Sequence, residues 1–405
     1  MRRKMLSVAA IAGGAALVLA GCSGGGGGDS TEPLTVLIGT SGDAETAAVT
    51  AAADAWSAES GVDVEIKVAA NLTEELATGF AGDDPPDLFY MSWDQFQTYA
   101  GNGYLEPYGD DLPNADDFYP TFKEEYTFDG EFVCAPKDFS TLGLIINTDM
   151  WAEAGLTDAD IPTDWESLTA AATALTTPEH VGLSFGQEYA RIGVFMNQAG
   201  GALVDGDSVV ADSDENVAGL EFVQKLHEEG VLRVPSEIGA GWGGEALGAG
   251  KAAMVIEGPW IKGIKGDFPD TNYQAYELPA GPGGQSTFTF TNCWGIPANS
   301  DTSDAAVDLV EYLTADEQQL SFADAFGVIP STESGAATYA EKYPENASFV
   351  AGNDYAVSPV NFAGSATVIS DFNAQLEGLW TGDATEILGT LQQNLQDALD
   401  EANDN

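Results

Sequence analysis

The sequence predicts an α/β fold with largely parallel sheets. Short apolar segments at residues 34–38, 62–68 and 87–90 predict strands, and the second of them alternates apolar with polar residues. The segments between them, at about 44–58 and 71–80, predict helices. Strands that alternate with helices along a chain favour a parallel sheet flanked by helices.

The rest of the chain continues this alternation. Asp164 is an acidic cap that predicts a helix beginning at Trp165. At 384–402 apolar residues recur on one face, which predicts an amphipathic helix. Further strands are predicted at 131–136, 142–147, 252–257 and 288–296, and further helices at 216–227 and 305–313.

The length and composition are those of a globular protein with two domains of ordinary size. The chain has 405 residues, of which 44% are hydrophobic and 10% aromatic. These values allow each domain to bury a core of its own.

The charge balance is strongly acidic, with 65 Asp and Glu against 13 Lys and Arg and a net charge of −52. Such a surface repels nucleic acid and anionic lipid, so neither is a predicted partner. The acidity indicates a solubilising surface, with cation binding and adaptation to salt as the alternatives. There are two histidines and no EF-hand loop, so the sequence predicts neither a metal nor a cofactor.

The N-terminus has the pattern of an export signal. Three cations, Arg2 to Lys4, precede an apolar stretch at 5–20 that is too short to span a bilayer. The following Gly21 and Cys22 complete a segment that resembles a lipoprotein cleavage box. We therefore expect a signal peptide at 1–21 and a lipidated Cys22 at the start of a glycine-rich tether, 22–33. An ordinary signal peptide with an incidental cysteine is the alternative.

The remaining two cysteines, Cys134 and Cys293, form an even pair in an oxidising compartment. A disulfide is expected, and two buried free thiols are the alternative.

One segment has a catalytic pattern, because residues 182–186 fit the G-x-S-x-G elbow of hydrolases. A triad also needs a later histidine, and the one that follows is His227, on a predicted helix face. Gln187 and Glu188 do not begin an apolar helix, as an elbow requires. The acidic residues offer many carboxylate pairs, but nothing selects one as a glycosidase pair. The sequence therefore does not predict an enzyme.

Several segments resemble, in the correct order, the extracellular solute-binding proteins of family 1, which include maltose-binding protein. The more specific ones are Pro162-Thr163-Asp164-Trp165 and the pair Gly250-Lys251-Ala252-Ala253-Met254 and Gly258-Pro259-Trp260. The resemblance extends from Leu34 to near the C-terminus. It also includes the segments 86–90, 100–107, 129–131, 136–141, 146–149, 154–156, 199–201, 313–317 and 327–330.

This resemblance implies a two-lobed periplasmic-binding-protein-like fold of type II, with the ligand held between the lobes. One lobe is expected at 34–133 plus 296–355 and the other at 140–292 plus 360–405. The hinge segments are expected near 134–139, 293–295 and 356–359. The first two would lie side by side, which favours the disulfide between Cys134 and Cys293.

The resemblance also implies a function. We expect a monomeric, lipid-anchored subunit on the outer face of the cell membrane that delivers a sugar, such as an oligosaccharide, to the permease subunits of an ABC importer. The ATPase is then a separate chain. A ligand sensor for a signalling partner and a secreted carbohydrate-active hydrolase are the alternatives.

A sugar site needs aromatic rings for the C–H face and amides or carboxylates for the hydroxyls. Trp260 matches the family's stacking position, with core packing under Pro259 as the alternative. Trp242 lies in a glycine-rich loop and Trp294 on a crossing segment; a loop anchor and core packing are their alternatives. Trp93 and Asp94 follow a predicted strand at the sheet edge that binds ligands in α/β folds.

The polar candidates come from three segments. Asp43 follows the first strand, with helix capping as the alternative. Asp138 and Ser140 lie just past the first crossing, and Glu188, Tyr189 and Arg191 precede Ala199-Gly200-Gly201. Arg191 is expected either to meet an anionic group of the ligand or to orient Glu188. The last segment, 361–371, is expected near the cleft, without a choice among its residues.

Overall fold

Two mixed sheets organise the chain in the computed structural model, which describes residues 33–40, 42–206 and 208–404. Pro33–Asn405 form one compact unit. The predicted signal peptide and Cys22 lie outside the described residues. The described strands are β1 Leu34–Ile38, β2 Val64–Val68, β3 Leu88–Ser92, β4 Thr127–Phe128, β5 Glu131–Phe132, β6 Ala135–Thr141, β7 Gly143–Asn147, β8 Val181–Ser184, β9 Val204–Asp205, β10 Ser208–Val209, β11 Leu232–Arg233, β12 Ala252–Glu257, β13 Tyr273–Tyr276, β14 Thr287–Gly295 and β15 Ala356–Val357.

The helices cover the sheets and follow the predicted alternation. They are α1 Asp43–Ser60, α2 Leu72–Ala81, α3 Trp93–Gly101, α4 Pro120–Glu125, α5 Thr148–Glu153, α6 Trp165–Leu175, α7 Tyr189–Gln198, α8 Asp214–Glu228, α9 Gly243–Gly248, α10 Ser303–Thr314, α11 Asp316–Phe326, α12 Glu333–Lys342, α13 Ala347–Gly352, α14 Ser365–Leu376 and α15 Ala384–Asp404. Short 3₁₀ turns lie at Gly109–Asp111, Asp158–Asp160, Pro235–Ile238, Pro259–Gly266, Pro344–Asn346 and Asn353–Tyr355.

The first sheet has the strand order β15-β14-β3-β1-β2, with β6 added to β14. β1 pairs in parallel with β2 and β3, while β14 is antiparallel to β3 and β6. Apolar side chains of β1 and β3, with those of α1, α3 and α10, form the core around this sheet. The predicted parallel pairing is confirmed for the first three strands.

The second sheet has the order β11-β8-β12-β7-β13. β8 is parallel to β11 and β12, whereas β7 is antiparallel to both β12 and β13. Its core takes side chains from α6, α7 and α8, and also from α14 and α15. Leu388, Leu391 and Leu395 of α15 are buried there, which confirms the predicted apolar face of this helix.

Local signals explain several helix starts. The carboxylate of Asp164 accepts from the backbone N of Ser167, so the predicted acidic cap of α6 is confirmed. Asn71 and Ser213 cap α2 and α8 in the same manner. Asp43 is the first residue of α1, and the residue in the capping position is Gly42.

The crossing segments β6 and β14 lie side by side, as the family resemblance implies. Their antiparallel ladder runs from Thr289 opposite Thr141 to Trp294 opposite Ala135. Cys134 and Cys293 are joined by a disulfide across this ladder, with their Cα atoms 5.6 Å apart. The link ties the two strands at the end of their ladder where β14 also pairs with β3.

A third core joins the two sheets near the hinge. It contains Phe139 of β6, Ile145 of β7 and Val255 of β12, together with Tyr339 and Phe349 from α12 and α13. Ile329 forms an isolated bridge with Phe139. This packing favours a return of the chain to the second lobe near Ile329, before the predicted segment 356–359. The lobe bounds themselves stay a prediction.

In the described part of the chain, no helix is long and apolar enough to cross a membrane.

Candidate functional site

Two adjoining cavities share the indole rings of Trp242 and Trp260. The first has a volume of about 830 Å³ and is walled by the second lobe. The second has a volume of about 580 Å³, and its far wall is formed by Gly42, Ala44 and Glu45 of the first lobe. These two cavities, both lined by the two tryptophans, make up the candidate cleft.

The cleft lies at the carboxyl ends of the parallel strands in the second sheet, where open α/β sheets bind ligands. β8 ends before Gly186, Gln187 and Glu188, and β12 ends at Glu257, all of which line the first cavity. On the opposite side, the loop after β1 and the start of α1 face the second cavity. Strand ends therefore position the polar groups of both walls.

A charged network fixes the second-lobe wall. Arg191 donates from Nη2 to Glu257 Oε2 at 2.6 Å, and its Nη1 lies 2.9 Å from Glu188 Oε1. Trp260 donates from Nε1 to the same oxygen of Glu257 at 3.0 Å. Burial raises the pKa of Glu188, an effect that Arg191 opposes and Glu257 reinforces. Among the described residues, the Nε of Arg191 is buried without a hydrogen-bond partner.

Glycines lie directly beneath the cleft side chains. A Cβ on Gly244 would come within 2.1 Å of the Trp242 ring, and one on Gly258 within 2.3 Å of the Trp260 ring. A Cβ on Gly243 would meet Glu257 Oε1 at 2.6 Å. Real Cβ contacts are longer than these distances. Any residue larger than glycine at one of these positions would therefore displace the side chain that packs against it.

The buried Lys137 lies next to Glu45, which lines the second cavity. Lys137 lies 3.6 Å from Glu45 Oε1, contacts the carboxylate of Asp138, and sits 4.5 Å from the centre of the Tyr90 ring. Tyr90 donates to Glu45 Oε1 at 3.2 Å. Burial raises the pKa of Asp138, and Lys137 opposes that rise. Lys137 thereby holds the Glu45 side chain against the second cavity.

Four of the sequence-predicted residues line the first cavity: Glu188, Arg191, Trp242 and Trp260. The guanidinium of Arg191 is engaged by Glu188 and Glu257, and its contact with a ligand stays a prediction. The third guanidinium nitrogen, Nε, makes no hydrogen bond to either carboxylate.

Two predicted rings are buried instead. Trp294 is 1% exposed and packs edge-on against Tyr90 in the first core. Tyr189 is 5% exposed, with its ring between Phe288 and Phe372. The structure thus assigns both rings to core packing rather than to the open cleft.

The other candidates do not line the two cavities. Asp43 is exposed beside Gly42 and Ala44, and Asp138 is buried against Lys137. Ser140 pairs with Phe290 in the hinge ladder, while Trp93 and Asp94 begin α3. Their role in binding stays a prediction.

The first cavity includes polar residues that the sequence reasoning missed. Glu257 is the clearest, and its signal was its position at the end of an apolar strand just before Gly258-Pro259-Trp260. Ser370, Asn373 and Glu377 of α14 also line it. Asn373 additionally accepts from the backbone N of Tyr189 at 2.7 Å, which ties α14 to the start of α7.

The hydrolase-like string has no accessible nucleophile. Ser184 is the last residue of β8 and is fully buried. His227 lies on α8, where its Nε2 is 3.0 Å from Glu237 and its ring stacks on Trp380. Ser184 and His227 are therefore engaged in separate packing contacts and not in a nucleophile–base pair. Within the described residues, no group of three or more His, Cys, Asp or Glu is placed to hold a metal.

Comparison with known proteins identifies the family. The sequence model described as bacterial extracellular solute-binding protein matches residues 51–351. The diacetylchitobiose-binding protein DasA of Streptomyces coelicolor is 25% identical over 302 residues, 69% of this chain and 71% of that protein. A maltooligosaccharide ABC transporter solute-binding lipoprotein of Streptococcus pneumoniae is 26% identical over 303 residues, 71% of this chain and 70% of that protein.

Solved structures share the fold. An ABC substrate-binding protein from Listeria monocytogenes in complex with cycloalternan superposes with a TM-score of 0.81 at 20% identity, covering 91% of this chain and 99% of that one. The GacH receptor of Streptomyces glaucescens, solved unliganded and with acarbose, gives 0.78 at 21%, covering 91% and 98%. The predicted two-lobed binding-protein fold is therefore confirmed.

Proposed function

Because the chain belongs to the family of bacterial extracellular solute-binding proteins, we propose that it captures a carbohydrate between its two lobes for an ABC importer. The observation that carries this proposal is the placement of Trp242 and Trp260 in the wall common to both cleft cavities. Indole faces cover the apolar C–H faces of sugar rings, and the groups around them serve the hydroxyls.

The charges of the cleft favour an uncharged ligand. The first cavity is lined by the carboxylates of Glu188, Glu257 and Glu377 against the single guanidinium of Arg191. An anionic ligand would meet net repulsion there, whereas neutral hydroxyls can donate to the carboxylates and accept from Arg191. The names of the two relatives give diacetylchitobiose and maltooligosaccharides as their ligands, and both are neutral oligosaccharides of this kind.

The size of the cleft supports an oligosaccharide rather than a single ring. The two cavities hold about 830 and 580 Å³, and both are lined by Trp242 and Trp260. Small-molecule sites span roughly 300–1,000 Å³. The combined space therefore fits a chain of linked sugars better than a monosaccharide.

Ligand capture proceeds by closure of the lobes. A sugar that touches Trp260 on one wall and the start of α1 on the other binds the closed form more tightly than the open one. It therefore shifts the population toward closure. The closed form then presents both lobes to the permease, and the ligand leaves chemically unchanged.

Attachment to the membrane follows from the N-terminal sequence. The segment Leu19-Ala20-Gly21-Cys22 supports cleavage before Cys22 and acylation of its thiol. The protein then works as a monomer on the outer face of the cell membrane, beside permease subunits whose ATPase is another chain.

A thermal-shift screen tests the function. The chain from Ser23, which keeps the compact unit Pro33–Asn405, is heated with maltooligosaccharides, chitooligosaccharides, cyclic glucans and glycerophosphodiesters. A ligand at 100 times its dissociation constant adds about 2.7 kcal/mol of stability, a clear rise in Tm. We expect a neutral oligosaccharide to give this rise and to be recovered intact. A hit that is hydrolysed, or stabilisation by an anionic diester alone, would contradict the proposal.

A further inference from the structure

A third cavity of about 620 Å³ lies beside the beginning of β14, away from the cleft. Its walls come from the end of α7 with the loop that follows, from residues 285–288, and from the segment 355–362. It shares no lining residue with the two cleft cavities. Its volume lies in the range of small-molecule sites.

Four buried polar atoms on this cavity lack a hydrogen-bond partner. In the described part of the chain they are Asn197 Nδ2, Ser286 Oγ, Tyr355 Oη and Asn361 Oδ1, and all four residues line the cavity. Buried polar groups in folded proteins are nearly always satisfied by protein, ordered water or ligand. Four such atoms around one cavity give water or a polar ligand several hydrogen-bonding partners there.

The surrounding contacts hold these groups in place. Asn361 donates from Nδ2 to Glu125 Oε1 at 2.7 Å, which fixes the amide and leaves its oxygen without a donor. Gln198 donates from Nε2 to the backbone carbonyl of Ser286 at 3.0 Å. Groups that are already ordered lose little entropy when a ligand binds.

The lining selects a neutral occupant. In a chain of net charge −52, none of the described residues that line this cavity is charged. It presents an amide N–H, two hydroxyls and an amide oxygen, beside the rings of Phe288 and Phe362. A molecule with several hydroxyls on an apolar ring offers both donors and acceptors for these atoms and a C–H face for the rings.

We propose that this cavity is a second binding site, separate from the cleft, for a neutral polyol of about monosaccharide size. Asn197, Ser286 and Asn361 are its polar contacts, and Phe288 and Phe362 its apolar ones. The site adds to the function proposed above and does not depend on it.

The test measures binding of two probes, glucose and myo-inositol, by isothermal titration calorimetry. The protein is the chain from Ser23 carrying Trp260→Ala, so that the cleft contributes little. We expect one binding event, weakened about threefold to tenfold by Ser286→Ala, the loss of one neutral hydrogen bond. Without ligand, Ser286→Ala keeps or raises Tm, because the hydroxyl it removes has no partner in the protein.

The matched control is Ser348→Ala, which removes another buried, unpartnered hydroxyl that lies outside this cavity. It should leave the affinity for both probes unchanged. Absence of binding to the Trp260→Ala protein, or equal affinity in the Ser286→Ala variant, would overturn the proposal and leave water as the occupant. Retained binding in a protein whose cleft binds no oligosaccharide would support this site while contradicting the proposed function.

Discussion

Trp260 and Glu257 are joined by a hydrogen bond of 3.0 Å from the indole Nε1 to Oε2. The same oxygen accepts from Arg191 at 2.6 Å, and Glu257 is only 2% exposed. One buried carboxylate therefore sets the plane of the aromatic ring and the position of the cation on the same wall.

Glu257→Gln should destabilise the protein. The amide keeps the size of the side chain but removes the charge that Arg191 faces, so we expect the free energy of unfolding to fall by about 2–3 kcal/mol. Urea denaturation measures this. In the matched variant Glu188→Gln, whose side chain is 37% exposed, the loss should stay below about 1 kcal/mol. Equal losses in the two variants would show that Glu257 does not organise the wall.

Gly258→Ala should weaken ligand binding while the fold persists. The new methyl would lie 2.3 Å from the Trp260 ring, so the ring must move from its place in the cleft. We expect at least about a tenfold loss of affinity for the cleft ligand, which corresponds to 1.4 kcal/mol. Gly389→Ala on α15 is the control, because nothing lies within 4 Å of its added Cβ. The prediction fails if both variants bind like the parent.

Removing the disulfide should lower stability without removing the cleft. Cys134 and Cys293 are separated by 159 residues, so their link restricts the unfolded chain strongly. We expect Cys134→Ala/Cys293→Ala to lose about 2–5 kcal/mol in urea denaturation. Ligand affinity should change less than about threefold, because neither cysteine lines the two cleft cavities. A variant as stable as the parent would contradict this.

Glu125→Gln should make the protein less sensitive to pH. Burial raises the pKa of Glu125 above its ordinary 4.5, an effect that the hydrogen bond from Asn361 opposes. Between 4.5 and the raised pKa, the native state keeps a proton that the unfolded chain has released, so stability falls as pH rises. Glutamine cannot ionise, and its oxygen still accepts from Asn361.

The variant should therefore gain unfolding free energy relative to the parent between pH 4.5 and pH 7, as measured by urea denaturation at both values. The exposed neighbour Glu131→Gln serves as the control and should show a smaller change. A difference between Glu125→Gln and the parent that stays constant with pH would count against the burial of this carboxyl.

Much of the fold could be predicted because its signals are local. Short stretches of sequence suffice to predict the alternation of strands and helices, the cap at Asp164 and the apolar face of α15. The strand order was not accessible in this way, since antiparallel pairing of β14 with β3 depends on contacts between residues about 200 positions apart. The packing that favours a return of the chain near Ile329 likewise involves residues far apart in the sequence.

Four of the candidate residues chosen from the sequence line one cavity. Trp260, Trp242, Glu188 and Arg191 were chosen because their segments resemble cleft segments of the family or are rich in glycine. Glu257 was missed because its one local signal, the end of an apolar strand before Gly258-Pro259-Trp260, was used for the tryptophan alone. Trp294 and Tyr189 have the chemistry of ligand contacts, but the exposure of an aromatic ring is decided by packing. Here both rings are buried in cores.

The most direct test of the central claim is a calorimetric titration of the oligosaccharide found by thermal shift into the parent and the Trp260→Ala variant. A cleft site predicts tight binding to the parent, at least about a tenfold weaker dissociation constant in the variant, and recovery of the intact sugar by mass spectrometry. Equal affinity in the two proteins, or a shortened sugar after incubation, would contradict a carbohydrate-binding cleft at Trp242 and Trp260.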